Sequence, residues 1–299
     1  MGDLLPVLSP EHMALITVLT LSPPASALAY CLKLFKRSTP WAEEAVLALL
    51  RRLPLPSPGE AVVPVGDMPV ISLPRHSVRS WLYRFGVYEP DTTALVKALL
   101  GPGMGFVDAG AFCGYYSVLA SRLVGPTGLV VAFEPHPQSY QLLVQNLERS
   151  GCSNVVAVPR ALAGAAGTMG LVQTDDPELS YLDRGGQGIA VTASTLDAEL
   201  AALGWPPVHL VKLDIEGWEA EALRGMRETA IRNPSLQVIV EVDSHNVRRA
   251  GSTLAALATA VEELGLRDMR VIERGLLPIS REGLLRLRGC YNLLLRRGG

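Results

Sequence analysis

The sequence predicts an α/β fold, a mostly parallel sheet with helices on both faces, and three observations carry that expectation. Gly105 to Ala109 is a short apolar run that passes through Gly110-Ala111-Phe112-Cys113-Gly114 into a helical pattern opening at Tyr115. A second apolar run, Leu129 to Phe133, closes on an acid, Glu134, and the strand-then-helix rhythm continues toward the C-terminus. Alternation of this kind makes the helices crossovers between parallel strands. Of 299 residues, 48% are hydrophobic and 19% charged, enough to bury such a sheet on both sides.

Residues 1–60 read as an N-terminal helical extension and 61–299 as the main domain, with its core from about residue 88. Met13 to Leu32 carries no charge and has the ~20-residue length that spans a bilayer. Pro23-Pro24 breaks that stretch in its middle, and Ser9-Pro10 and Ser22-Pro23 each look like the start of a short helix. Two helices are therefore favoured over membrane association through 13–32. If the stretch does span, Lys33, Lys36 and Arg37 behind it hold the rest of the chain in the cytoplasm. No basic segment precedes the apolar run, which argues against a secretory signal. A third helix fits Trp41 to Leu53, and Pro54, Pro56 and Pro58 end it in a linker reaching Glu60. Val62 to Tyr88 suggests a few short strands, and Asp91 is placed to cap a helix through Leu100.

The main rhythm then runs strand 105–109, helix 115–124, strand 129–134, helix 138–150 and strand 155–159. Gly164 to Thr195 is glycine-rich and irregular, with a hairpin expected around Met169–Gln173. A strand at His209–Asp214, a helix from near Trp218, a strand at Leu236–Val242 and a helix at Thr253–Leu264 follow. Arg270–Ile272 and Tyr291–Arg296 are expected to pair as an antiparallel edge.

Bulk properties exclude several functions. The net charge of −2 gives no electrostatic footprint for nucleic acid. The four cysteines share no CxxC spacing and the five histidines form no HExxH pair, so neither metal nor disulfide framework is expected, and a reducing cytoplasm is the plain setting.

The first strand, its turn and Glu134 together form a site for an adenosine-containing cofactor. A dinucleotide site would show GxGxxG, whereas Gly110 and Gly114 are separated by Ala-Phe-Cys. With Asp108 two residues before the first glycine, the spacing favours S-adenosylmethionine. Gly110 and Gly114 let the backbone approach a ligand, and the helix start at Tyr115 offers N–H groups to a carboxylate. Asp108 suits the cofactor's amino group, and Glu134, with two oxygens, suits both ribose hydroxyls.

His209 to Glu219 is the second constellation. Lys212, Asp214 and Glu216 alternate at the end of an apolar strand and so are expected to face one side. Three ionisable groups there are costly unless paired or in use. A plain ion pair tying the strand to a neighbour and a functional cluster both fit.

Val107–Tyr116, Phe133-Glu134-Pro135 with Asn146, Thr195-Leu196-Asp197, and Lys212-Leu213-Asp214-Ile215-Glu216-Gly217-Trp218-Glu219 occur in an order that resembles the FkbM family. Tyr88-Glu89-Pro90 and Glu241 resemble it too, so the likeness runs from about Tyr88 to Arg296. It implies a class I methyltransferase sheet, Rossmann-like, of seven strands with an antiparallel last strand. It also implies an enzyme that uses S-adenosyl-L-methionine to methylate a hydroxyl of a sugar, glycolipid or other small natural product. Asp108, Gly110, Ala111, Gly114, Tyr115, Glu134 and Pro135 would then hold the cofactor. Asp214 is the first candidate for base, Glu216 the second, and Lys212 would position a carboxylate; His245 is a weaker candidate. Phe112 and His136 stand where the family usually has asparagine, and Ala163 where a carboxylate often meets adenine. Phe112 is the feature that keeps a non-catalytic binding module open as an alternative. Gly164–Gly188 and Val62–Tyr88 are expected to shape the acceptor pocket, and the sequence leaves the acceptor and the oligomeric state unspecified.

Overall fold

The computed structural model describes residues 61–65, 68–73, 88–174 and 180–298. The helices expected before residue 60, the linker and the uncharged stretch 13–32 lie outside the described residues. Strands β1 (Ala61–Val65) and β2 (Met68–Leu73) form an antiparallel hairpin, as the weak alternation after Val62 suggested. Helix α1 covers Pro90–Leu99 and begins two residues earlier than expected: Glu89, not Asp91, is the N-cap, in a left-handed conformation.

The main sheet contains β3 (Gly105–Ala109), β4 (Leu129–Phe133), β5 (Val155–Val158), β10 (Leu210–Leu213), β11 (Gln237–Asp243), β12 (Asp268–Val271), β13 (Leu277–Pro278) and β14 (Cys290–Arg296). Its order is β13-β12-β14-β11-β10-β3-β4-β5. The five strands from β5 to β11 are parallel, and β14 runs antiparallel between β11 and β12. This is the class I methyltransferase sheet, extended by an eighth strand. That strand, the two-residue β13, pairs with β12 through a hairpin too short for periodicity to show.

Alternation divides the sheet's side chains between two cores. Val107, Ala109, Val211, Leu213, Val238 and Val240 face helices α4 (Leu196–Ala202), α5 (Glu219–Arg224), α6 (Arg227–Arg232) and α8 (Leu254–Glu263). Phe106, Val130, Leu210 and Ile239 face α1, α2 (Tyr115–Val124) and α3 (Pro137–Arg149). The same arithmetic puts Asp108, Lys212, Glu241 and Asn292 on this second face. Register aligns Asp108 with Lys212 and Glu241 with Asn292.

The glycine-rich region holds more order than one hairpin. β6 (Ala161–Leu162), β7 (Gly167–Val172), β8 (Tyr181–Asp183) and β9 (Ile189–Ser194) make a separate four-stranded sheet, order β6-β9-β7-β8. Short helices α4, α6, α7 (Ser244–Arg249) and α9 (Arg281–Leu285) also went unexpected. Three of them depend on side-chain caps at their starts: Thr195 accepts from Ala198 N–H, Asp243 from His245 and Asn246 N–H, and Ser280 from Gly283 N–H. Asp197, singled out in the sequence, accepts the N–H groups of Glu228 and Thr229 and so anchors the start of α6. Among the described residues, no helix is long and apolar enough to cross a membrane.

Gly110, just past β3, lies tightly against the chain leaving β10. Its φ is +81°, and a Cβ there would lie 1.8 Å from the carbonyl oxygen of Asp214. Gly110→Ala therefore meets both a backbone penalty and a main-chain collision. We expect its melting temperature to fall by at least about 5 °C, from ~2–4 °C per kcal/mol at this size; unchanged melting would contradict this packing.

Candidate active site

A cavity opens at the carboxyl ends of β3, β4 and β10 and encloses about 880 Å³, the solvent at its mouth included. Its walls include Tyr88, Asp108, Gly110, Ala111, Phe112, Tyr115, Tyr116, Glu134, Pro135, His136, Lys212, Asp214 and Glu216. Of the sequence-selected residues, all but Gly114 and the weaker candidate His245 line it. Gly114 instead caps α2 at φ +89°, and a Cβ there would press on Leu143 at 2.7 Å. Its need is a tight turn against α3. Asn146, fully buried, holds the same turn by donating to the Cys113 carbonyl at 2.7 Å.

Two buried carboxylates stand on neighbouring strand ends. Asp108 accepts from the Ser117 hydroxyl at 2.6 Å. Burial raises it to about 6, with Lys212 and Ser117 pulling the other way. Glu134 accepts one backbone N–H on each oxygen, from Phe112 and from His136, both at 2.8 Å. Burial still raises it to about 7.

Phe112 has φ +50°, a conformation asparagine adopts far more readily than an aromatic residue. The phenylalanine keeps the backbone geometry all the same, since its N–H is the one held by Glu134. His136 caps α3: its Nδ1 accepts from Ser139 N–H at 3.2 Å, and its Nε2 meets the Gln173 amide at 2.9 Å. Burial lowers its pKa and so favours the neutral ring. Gln173 follows β7, so this contact joins the inserted sheet to the Glu134 end of the cavity.

At the other end, Lys212 Nζ lies 2.7 Å from Asp214 and 3.9 Å from Glu89, with 2% of its side chain exposed. Burial pushes the ammonium down, but Asp214, Glu89 and Asp108 outweigh it and hold Lys212 above the ordinary lysine range. The Tyr116 ring lies 4.7 Å beneath it.

Glu216 departs from the expected alternation. The strand ends at Leu213, and Glu216 has φ +57°, turning its carboxylate to Asn246 at 2.6 Å and Arg249 at 2.9 Å. It lines the cavity by its edge but does not join the Lys212–Asp214 pair. The rest of the run is structural. Trp218 Nε1 donates to the Leu182 carbonyl of β8, and Glu219 accepts from Ile215 and Gly217 N–H groups. Burial raises Glu219 to about 7. His245 is exposed at the start of α7, away from the cavity. Among the described residues, no cluster of His, Cys, Asp and Glu could hold a metal ion. Sequence reasoning missed Tyr116 and His136 as wall residues and Glu89 as the support of Tyr116. Tyr88-Glu89-Pro90 was the visible signal for the last.

The sheet order and a pocket at its carboxyl edge define a class I methyltransferase. A sequence model described as the methyltransferase FkbM domain matches residues 108–267, more than half of the chain. The chain belongs to that family, and its cofactor is S-adenosylmethionine. A protein-L-isoaspartate O-methyltransferase of Methanothrix thermoacetophila is 38% identical over 71 residues, 23% of this chain and 34% of the relative. The match thus spans about a third of that relative's length. Among solved structures, precorrin-6y C5,15-methyltransferase from Geobacter metallireducens shows 15% identity and a TM-score of 0.44, covering 71% of this chain and 90% of its own. Methyltransferase FkbM from Methylobacillus flagellatus shows 14% identity and a TM-score of 0.42, covering 73% and 53%.

The cavity suits this cofactor. Asp108 and Glu134 are carboxylates whose charge is disfavoured by burial, and a cationic amino group and hydroxyl donors would relieve each.

The raised carboxylates also have a stability consequence. Glu134 titrates higher folded (about 7) than unfolded (4.5), so its stabilising contribution is present below the unfolded value and lost as pH rises through the folded one. His136 works in the opposite direction, so the informative quantity is the difference between wild type and Glu134→Gln. We expect the wild-type melting temperature, relative to Glu134→Gln, to decline between pH 5 and 8. A constant difference would contradict a buried, raised Glu134.

Proposed function

We propose that the protein is an O-methyltransferase that methylates a hydroxyl of a sugar, glycolipid or other small natural product. The observation that carries this reading is the Lys212–Asp214 pair at 2.7 Å, sharing one cavity with Asp108 and Glu134. S-adenosylmethionine, held there, would supply an electrophilic methyl and leave as S-adenosylhomocysteine.

The protein's own work is alignment and proton management. Asp108 receives the amino group and Glu134 the ribose hydroxyls, while Gly110, Ala111, Tyr115 and Pro135 shape the wall around them. Asp214 accepts the proton of the acceptor hydroxyl as its oxygen bonds to the methyl carbon. Lys212 fixes the direction of the Asp214 carboxylate. Glu216 serves the acceptor end by bracing Arg249, whose guanidinium stacks 4.0 Å over the Tyr181 ring. Cys113, Cys152 and Cys290 form no disulfide among the described residues, which fits a reducing, cytoplasmic setting.

Binding is tested first. S-adenosylhomocysteine, with NAD and NADP as controls, should alone raise the melting temperature, by ~2.7 kcal/mol of stabilisation at a hundredfold excess over Kd. Stabilisation by NAD or NADP instead would overturn the cofactor site. Asp108→Ala and Glu134→Ala should each weaken S-adenosylhomocysteine binding by at least about tenfold, the loss of a charge-assisted hydrogen bond. Methyl-labelled S-adenosylmethionine incubated with hydroxylated glycans and lipids then tests the acceptor class. Asp214→Asn should cut label transfer by ~10²-fold or more while Kd stays within about threefold; equal losses in both would make Asp214 structural.

A further inference from the structure

We infer that Glu89 is a positioning residue for this reaction: its carboxylate is the second counter-charge of Lys212, holding it as an ammonium when Asp214 takes up the acceptor's proton. The inference rests on the methyl-transfer reading above and assigns that site a residue outside the cavity wall.

Lys212 is buried at the end of the central strand, and the groups facing it are Asp214, Glu89, Asp108 and Tyr116. Asp108 is engaged by Ser117 and lies at the cofactor end. Protonation of Asp214 removes the nearest negative charge from a desolvated ammonium. A lysine left so isolated loses its own proton readily, and burial alone moves such groups by up to ~3–5 units. Glu89, 3.9 Å away, supplies the remaining charge.

The protein holds Glu89 there against local preference. Its backbone is left-handed, φ 42° and ψ 71°, in a β-carbon-bearing residue directly before Pro90. Such conformations cost about 1–3 kcal/mol and persist only where the surroundings fix them. Here the Glu89 carbonyl accepts from Thr93 N–H at 2.8 Å, and the Tyr88 carbonyl accepts from the Thr93 hydroxyl at 2.6 Å. The side chain then joins two further elements. Oε2 accepts from the Tyr116 hydroxyl at 2.7 Å, and Oε1 from Asn292 Nδ2 of β14 at 2.8 Å. One carboxylate thus holds the tyrosine ring under Lys212 and faces the ammonium itself.

The test reads Lys212 directly, with no need for the acceptor. The full chain has four lysines, Lys33, Lys36, Lys97 and Lys212, so side-chain NMR of lysine-labelled protein resolves Lys212 once Lys212→Arg assigns its signal. In Asp214→Asn, which mimics the protonated carboxyl, Lys212 should remain an ammonium through pH 9. Adding Glu89→Gln should lower its midpoint by about two units; a change under half a unit overturns the proposal. If the double variant does not fold, Glu89→Gln alone should lower the wild-type midpoint by at least about one unit, and no drop overturns it. Tyr116→Phe, which removes the hydroxyl and keeps the charge, should shift the midpoint by less than half a unit. A shift matching Glu89→Gln would show that Glu89 acts through the tyrosine instead, and would also overturn the proposal. Calorimetry with S-adenosylhomocysteine separates the two readings: no binding to wild type sinks methyl transfer, whereas the Lys212 titration alone decides the role of Glu89.

Discussion

A buried ammonium at the end of the central strand organises this molecule. Lys212 sits in β10 between the ends of β3 and β11, where a charge without partners costs several kcal/mol. Its position in the strand is fixed by the alternation that sends Val211 and Leu213 into one core and Leu210 into the other. Register then sets Asp108 beside it, and the chain leaving β10 returns Asp214 to it at 2.7 Å. The close approach at Gly110 follows from the same geometry, since the Asp214 backbone must pass over the first turn to bring its carboxylate back.

Around that charge the cavity divides into two ends with different chemistry. Toward β4 lie Asp108 and Glu134, carboxylates held by hydrogen bonds and raised by burial, suited to amino and hydroxyl donors. Toward β11 and β14 lie Asp214, Glu89, Tyr116 and Asn292, an ion-paired and hydrogen-bonded group suited to managing one proton. The inserted four-stranded sheet closes the space between them. Trp218 to the Leu182 carbonyl, Arg184 stacked 4.6 Å from the Trp218 ring, and Gln173 on His136 pin that sheet to the main one at three places. Part of the Lys212–Glu219 run, Trp218 above all, therefore serves to hold the inserted-sheet wall of the cavity in place.

What the sequence revealed follows from local physics. β3, β4 and their helices were legible to within a residue because buried parallel strands are short apolar runs and their turns carry glycine. The inserted sheet was largely illegible: β7 pairs with β9, and β6 with β9, across a glycine-rich stretch with no sustained alternation. The five- to seven-residue helices escaped because a single cap and tertiary packing decide them. In the site, Asp108, Glu134, Lys212 and Asp214 stand out as charges in apolar text. Glu216 misled, since extended alternation breaks where the backbone turns left-handed, and no residue type there announces it. Tyr88-Glu89-Pro90 marked Glu89, but its contacts are visible only in three dimensions, because its partner Asn292 is 203 residues away.

The buried acids at the strand ends await a cation and hydroxyl donors, and one titration tests this. Calorimetry of S-adenosylhomocysteine binding across pH 5 to 8 reads both affinity and proton release. If Asp108, near 6 in the free protein, is drawn down by the ligand's ammonium, affinity must rise with pH through that region, with protons released on binding near pH 6. Affinity that stays flat over this range, with no proton release, would contradict the account.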